Sequence, residues 1–284
     1  MTTTIARDHY NPGQEQDRLV LEQEKGQYTL WQILVIWALA AIPMGLLSWV
    51  VFPAVSPDFN SDPLGAGVTR LVLLTIGLVW LFVLSMIIVR KEEGNLRWAT
   101  VKRRLWLNTP RDPKTGEPRR RLWLWVIPFV IAIVVWEIAL KSYVSELWVS
   151  LFPFLAEPPG YSLGAFFESQ EILQRLVGAW WFFGLFMVFA VFNSILGEEF
   201  LFRGVLLPKM EGVFGRWSWV ASGVLHAFWH VHQPWVILET VISSAFLHAF
   251  PSWSFRSTWM AVIVHSIQNV FFLFLILGLV LGLA

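Results

Sequence analysis

Three stretches of this chain, residues 30–52, 71–89 and 176–196, contain no Asp, Glu, Lys or Arg, and a fourth, 122–140, contains only Glu137. Each is long enough to cross about 30 Å of hydrocarbon as an α-helix. Inside a bilayer the backbone must satisfy its own hydrogen bonds, which leaves helices and closed barrels; uninterrupted apolar runs without period-two alternation select helices. The chain therefore reads as an all-α, polytopic transmembrane helical bundle, with about seven to eight membrane helices if every later apolar stretch crosses. Only 14% of its 284 residues are charged, well below an ordinary soluble domain.

The cations are concentrated. Arg90, Lys91, Arg97, Lys102, Arg103, Arg104, Arg111, Lys114, Arg119, Arg120 and Arg121 fall within residues 90–121, about half of all Lys and Arg in the chain. Between two spans this marks a cytoplasmic loop, and it is read so rather than as a nucleic-acid patch; no nucleic-acid partner is expected. The N-terminus then lies in the cytoplasm too. Residues 1–28 form a polar arm without a cleavable signal peptide. Residues 29–140 supply three membrane helices, residues 141–175 an outer segment containing Pro153, Pro158 and Pro159, and 175–284 the remaining core. Within the basic loop, 92–107 is expected to be a surface helix and 108–118 to be irregular. The lack of organelle signals points to the plasma membrane of a prokaryote. Most of the 18 Trp residues read as interfacial anchors or lipid-facing bulk.

The stretches 217–231, 235–250 and 258–282 are apolar yet interrupted by His, Glu and Asn. Five of the six His residues, His226, His230, His232, His248 and His265, lie in the last sixty positions. The fourth uncharged run leads directly into Glu198, Glu199 and Arg203. A charge deep in lipid costs roughly 2.5 to 3.5 kcal/mol on insertion scales, so these groups must face protein or water. Glu199 and Arg203 are four apart and share a helix face, while Glu198 projects about 100° away. His226 and His230 share one face, as do His265 and Asn269. Such an inventory suits acid–base chemistry. Cysteine is absent, so neither a thiol nucleophile nor a thiolate metal site exists.

In order, these residues resemble the CAAX-protease and bacteriocin-processing family of intramembrane peptidases, also called the Abi family, whose signature is E-E-x-x-x-R, F-x-x-x-H and H-x-x-x-N/D. Glu198, Glu199 and Arg203 meet the first motif; His265 and Asn269 meet the third. His230, in a WHxxQP context, stands at the second, although His226 replaces the expected Phe; Phe228 with His232 is the other alignment. The resemblance covers roughly residues 175–275. It implies an endopeptidase in which Glu198, assisted by His230, activates a water, Glu199 and Arg203 order the site, and His265 and Asn269 bind the oxyanion. The substrate would be a membrane-associated peptide or protein, near the C-terminus of a lipidated one in CAAX-type members. The family has also been labelled metallopeptidase. A divalent metal such as zinc would take His226, His230, Glu199 and His265, but HAFWH lacks the glutamate of H-E-x-x-H. The other readings are an immunity or scaffold protein of the same fold, and a proton-coupled transporter.

One expectation concerns depth. If 217–231 crossed the membrane fully, His230 would end opposite Glu198. A common site requires re-entry of the segment after Pro208, or a deep Glu-bearing helix with a water-filled cavity open to the cytoplasm.

Overall fold

The computed structural model of the protein describes residues 26–162 and 170–283; most of the expected N-terminal arm and part of the outer segment lie outside them. Nine helices organise the described residues: α1 Leu30–Val55, α2 Pro63–Glu93, α3 Trp98–Arg104, α4 Arg120–Leu151, α5 Gln170–Leu176, α6 Trp180–Lys209, α7 Ser218–Trp229, α8 Pro234–Phe255 and α9 Thr258–Val280. Six of them, α1, α2, α4, α6, α8 and α9, are long and apolar enough to cross a membrane. The short α7 completes the bundle around the polar core. At 12 residues it spans about 18 Å, too little to cross. Its brevity removes the depth difficulty, because α7 ends inside the bundle rather than at the far face.

Local chemistry sets the boundaries. Thr29 opens α1 with a capping box: its Oγ1 accepts from Gln32 N at 3.3 Å, and Gln32 Oε1 accepts from Thr29 N at 2.8 Å. Asp62 caps α2 just before Pro63, and Gly94, at φ 73°, ends it. The basic loop then forms only the short α3, and 108–118 holds a turn with an Arg111–Pro118 bridge. The third span continues beyond residue 140, through a π-helical turn at Trp136–Leu140, to Leu151. Residues 141–151, expected as outer segment, are therefore helix.

Apolar burial against lipid gives helices little reason to associate, so close packing and interhelical hydrogen bonds hold such a bundle. Tryptophan supplies many of these bonds. Pro43 lies inside α1 and has no N–H, which leaves the Leu39 carbonyl without its helical donor. Trp80 Nε1 of α2 donates to that carbonyl at 2.8 Å. Trp37 Nε1 bonds Leu225 O at 2.8 Å and Trp229 Nε1 bonds Ala40 O at 3.2 Å, tying α1 to α7. Trp180, Trp181 and Trp217 are more than half exposed, as anchors should be. Trp37, Trp49, Trp80, Trp148 and Trp229 thus also serve as donors across the bundle.

The loop between α7 and α8, residues 230–233, has irregular backbone at membrane depth, which is tolerated only when protein satisfies it. Trp49 Nε1 donates to Val231 O at 2.8 Å, and Trp148 Nε1 to Pro234 O at 2.9 Å. The fully buried Arg70 donates to His232 O at 3.3 Å and to Ser48 Oγ at 3.2 Å. Ser48 Oγ in turn donates to His232 O at 3.3 Å, so four bonds from α1, α2 and α4 fix residues 231–234, next to His230.

At the basic end, Arg104 donates to Gly204 O at 3.0 Å and Val205 O at 3.1 Å, and its Nε meets Glu92 at 2.6 Å. Tyr28 bonds both Glu92 and Arg104, and burial pushes its phenol well above the usual value.

Candidate active site

Glu198 and Glu199 sit on α6, and both are buried. The helix is not uniform here: Phe192–Gly197 and Phe200–Leu206 are π-helical turns. In an α-helix, residues five apart point about 140° from each other; the wider π turn, which closes i to i+5, aligns them. Asn193 Nδ2 therefore reaches Glu198 Oε1 at 2.7 Å. Gly197 makes the turn fit, since a Cβ there would meet Phe192 O at 2.4 Å and Leu78 O at 2.8 Å.

The second oxygen of Glu198 bonds His226 Nε2 at 2.7 Å. His226 reaches it because α7 packs closely on α8: a Cβ on Gly223 would lie 2.5 Å from Ala245 Cα. This contact also brings Ser244 Oγ to 2.9 Å from His226 Nδ1. Arg203 Nη2 donates to the same Ser244 oxygen at 2.6 Å. Arginine can only donate, so the single Ser244 proton is free to go to His226 Nδ1, and Nε2–H is left to donate to an ionised Glu198. The chain Arg203, Ser244, His226, Glu198 is thereby oriented in one direction.

Glu199 is oriented separately. Its Oε1 lies 2.9 Å from His265 Nδ1, and its Oε2 lies 3.3 Å from Arg203 Nε. Asn269 Nδ2 donates to Asn193 Oδ1 at 2.8 Å, so the third motif touches the first through Asn193. His230 Nδ1 bonds its own helix at His226 O, 3.0 Å away, and its ring centroid is 5.0 Å from that of His226. The six residues singled out from sequence, Glu198, Glu199, Arg203, His230, His265 and Asn269, thus lie in one polar core. His226, not His230, makes the direct bond to Glu198. His232 is buried as well, 5.1 Å from Trp229 and stacked on His230 at 5.3 Å between ring centroids, and it lines the same cavity.

A cavity of about 290 Å³ opens onto this core, lined among others by Asn193, Glu198, His226, His230, His265 and Asn269. His248, another lining residue, is buried and stacks on His265 at 4.9 Å, while neither of its ring nitrogens has a hydrogen-bond partner.

Asn193, Ser244 and His248 were missed as site residues. Asn193 escapes because helical periodicity places it off the Glu198 face, and the Gly197 that permits the wide turn is its only local signal. Nothing in the sequence around Ser244 distinguishes it from a serine packed in a membrane helix.

Two trios have the donor chemistry of a catalytic zinc site: Glu198, His226 and His230, and Glu199, His248 and His265, each with ligand atoms all within 4.8 Å of one another. In the first trio, a metal at His226 Nε2 would require the opposite tautomer, with Nδ1–H donating to Ser244 Oγ, while His230 Nδ1–H donates to the His226 carbonyl, the outer-shell support that metal-binding imidazoles use.

No curated protein and no solved structure matches the chain. A family model does, described as Type II CAAX prenyl endopeptidase Rce1-like, over residues 179–271. Those residues begin at α6 and run well into α9, so they contain every side chain of the polar core described above, and over this third of the chain it is similar to that endopeptidase family.

Proposed function

We propose that the protein is an intramembrane endopeptidase in which Glu198 is the general base for a hydrolytic water. The observation that carries this reading is that Glu198 is held at both oxygens, by Asn193 and His226 at 2.7 Å each, while facing a cavity. A carboxylate so fixed loses little freedom when it accepts a proton, and a positioned base contributes typically 10²- to 10⁴-fold.

In this mechanism Glu198 takes a proton from water as the water attacks the scissile carbonyl. His226, steered by Ser244 and Arg203, stabilises the Glu198 charge before attack. The protonated Glu198 then delivers its proton to the leaving amine. His230, braced at Nδ1 by the His226 carbonyl, lines the same cavity with a ring nitrogen within 4.8 Å of a Glu198 oxygen. Asn269 keeps a second amide N–H beyond the one given to Asn193 and donates it to the oxyanion; His265, held at Nδ1 by Glu199, lies beside it on the cavity wall.

The same donors support a metal-assisted form of this reaction. Glu198, His226 and His230 would hold a divalent ion, which supplies Lewis acidity and a more acidic bound water. Metal content of the purified active protein distinguishes the two forms.

Sequencing the membrane peptides that accumulate in a strain carrying Glu198→Ala tests the function. Intact precursors should accumulate in that strain and in none expressing the wild-type chain; an unchanged peptide profile removes the proposal.

A further inference from the structure

The depth of each cavity residue can be read from its distance along its own helix. The basic end of the bundle is marked by Glu93, Arg120, Lys209, Phe255 and Thr258, since Arg111 N bonds Phe255 O at 2.8 Å and Thr258 N bonds Trp106 O at 2.9 Å. At 1.5 Å per residue, His248 and His265 lie about 10 Å from that end, and Glu198 about 16 Å. Glu239 lies about 24 Å from it, and Lys141 about 31 Å. All of these side chains line one cavity. It therefore runs from the catalytic core away from the basic loop.

Toward the basic end the helices and the loop pack closely, between the core and a separate pocket lined by Lys102, Leu107 and Arg111. Leu105, Leu107, Leu206 and Met260 are buried, and a Cβ on Gly204 would sit 3.1 Å from Leu105 Cβ. Thr258 Oγ1 donates to Leu105 O at 2.6 Å. At the other end the lining is charged: Lys141 Nζ lies 3.0 Å from Glu137 and 3.9 Å from Glu239, and Gln268 bonds Glu137 at 2.6 Å. The Lys141 side chain is 38% exposed. Charges at this depth belong beside water, so this is the wet mouth. This mouth lies at the end of the bundle away from residues 90–121, whereas a cavity open to the cytoplasm is the expectation from sequence.

We infer that the candidate active site is entered from the membrane face opposite the basic loop, so that its substrate is a peptide segment presented on the outer side of the membrane and not a cytoplasmic prenylated tail. The inference rests on the peptidase reading for its substrate, and on the excess of Lys and Arg in residues 90–121 for its direction. The mouth carries two carboxylates and one ammonium, which disfavours acidic segments there.

The chain has no cysteine, so single-cysteine variants report directly. Gln233→Cys and Lys141→Cys mark the mouth on separate segments, Asn60→Cys the exposed loop between α1 and α2, and Lys114→Cys the basic loop. Each is treated with a membrane-impermeant maleimide in intact bacterial spheroplasts and again after disruption. Asn60→Cys and the mouth variants should label in intact spheroplasts, and Lys114→Cys only after disruption. Labelling of Lys114→Cys in intact spheroplasts would overturn the inference. So would mouth cysteines that react only after disruption, or never, while Asn60→Cys reacts. None of these outcomes needs catalysis; a protein that labels as expected and cleaves nothing refutes the peptidase reading alone.

Discussion

Glu198 Oε2 and His226 Nε2 are 2.7 Å apart, although one belongs to a helix that spans the membrane and the other to a helix that does not. Two wide turns in α6 and the close α7–α8 contact at Gly223 bring them together. The reactivity proposed for the site depends on that meeting.

His226→Ala should lower kcat by roughly 10²- to 10⁴-fold, the span of a lost acid–base partner, with the protein still inserted and folded. His230→Ala should also abolish cleavage, but with Glu198 geometry intact. Initial rates on a detergent-solubilised substrate, beside a thermal unfolding scan, separate lost chemistry from lost structure.

Ser244→Ala removes the hydroxyl that directs His226 Nδ1. It touches no substrate, so a smaller loss of roughly 10- to 100-fold is expected, as for other outer-shell partners. Ser244→Thr, which keeps the hydroxyl, should recover part of the rate; failure of both variants to alter kcat would separate Ser244 from His226.

Trp80→Phe leaves the Leu39 carbonyl without a donor. The expected destabilisation is about 0.6 kcal/mol and at most about 1.7 kcal/mol, the range of interhelical hydrogen bonds in membranes. Pro43→Ala restores an N–H to that carbonyl, so the double variant should lose less than the single losses added together. Unfolding in a denaturing detergent measures the cycle.

Gly197→Ala should inactivate the protein, because the added Cβ would meet the Phe192 carbonyl at 2.4 Å and force the turn open. The Asn193–Glu198 bond is then lost. Gly184, which has open space around its Cβ position, is the control: Gly184→Ala on the same helix should be nearly silent in activity.

The sequence makes the spans legible because charge-free runs of this length have almost one use. It also makes the acids and imidazoles legible as a group, since each would be costly in lipid and few positions carry them. The α6 side of the site follows from simple spacing for Glu199 and Arg203, which are four apart and form an ion pair at 3.3 Å. Spacing fails for Asn193, where the helix widens, and for His226, whose position depends on how tightly α7 meets α8. The short α7 shows the same limit: hydropathy sees an apolar stretch at 217–231, but not that its backbone turns at His230 inside the bundle, held by Trp49 and Arg70 from other helices. Long-range donors of this kind leave no local mark.

Every step proposed for this site runs through the Glu198 carboxylate. Wild-type protein and Glu198→Gln, which keeps the shape and removes the base, should be purified in parallel and given the same membrane peptides, with products read by mass spectrometry. New peptide termini are expected from the wild type and none above background from Glu198→Gln; equal turnover by the two proteins would show that Glu198 is not the base.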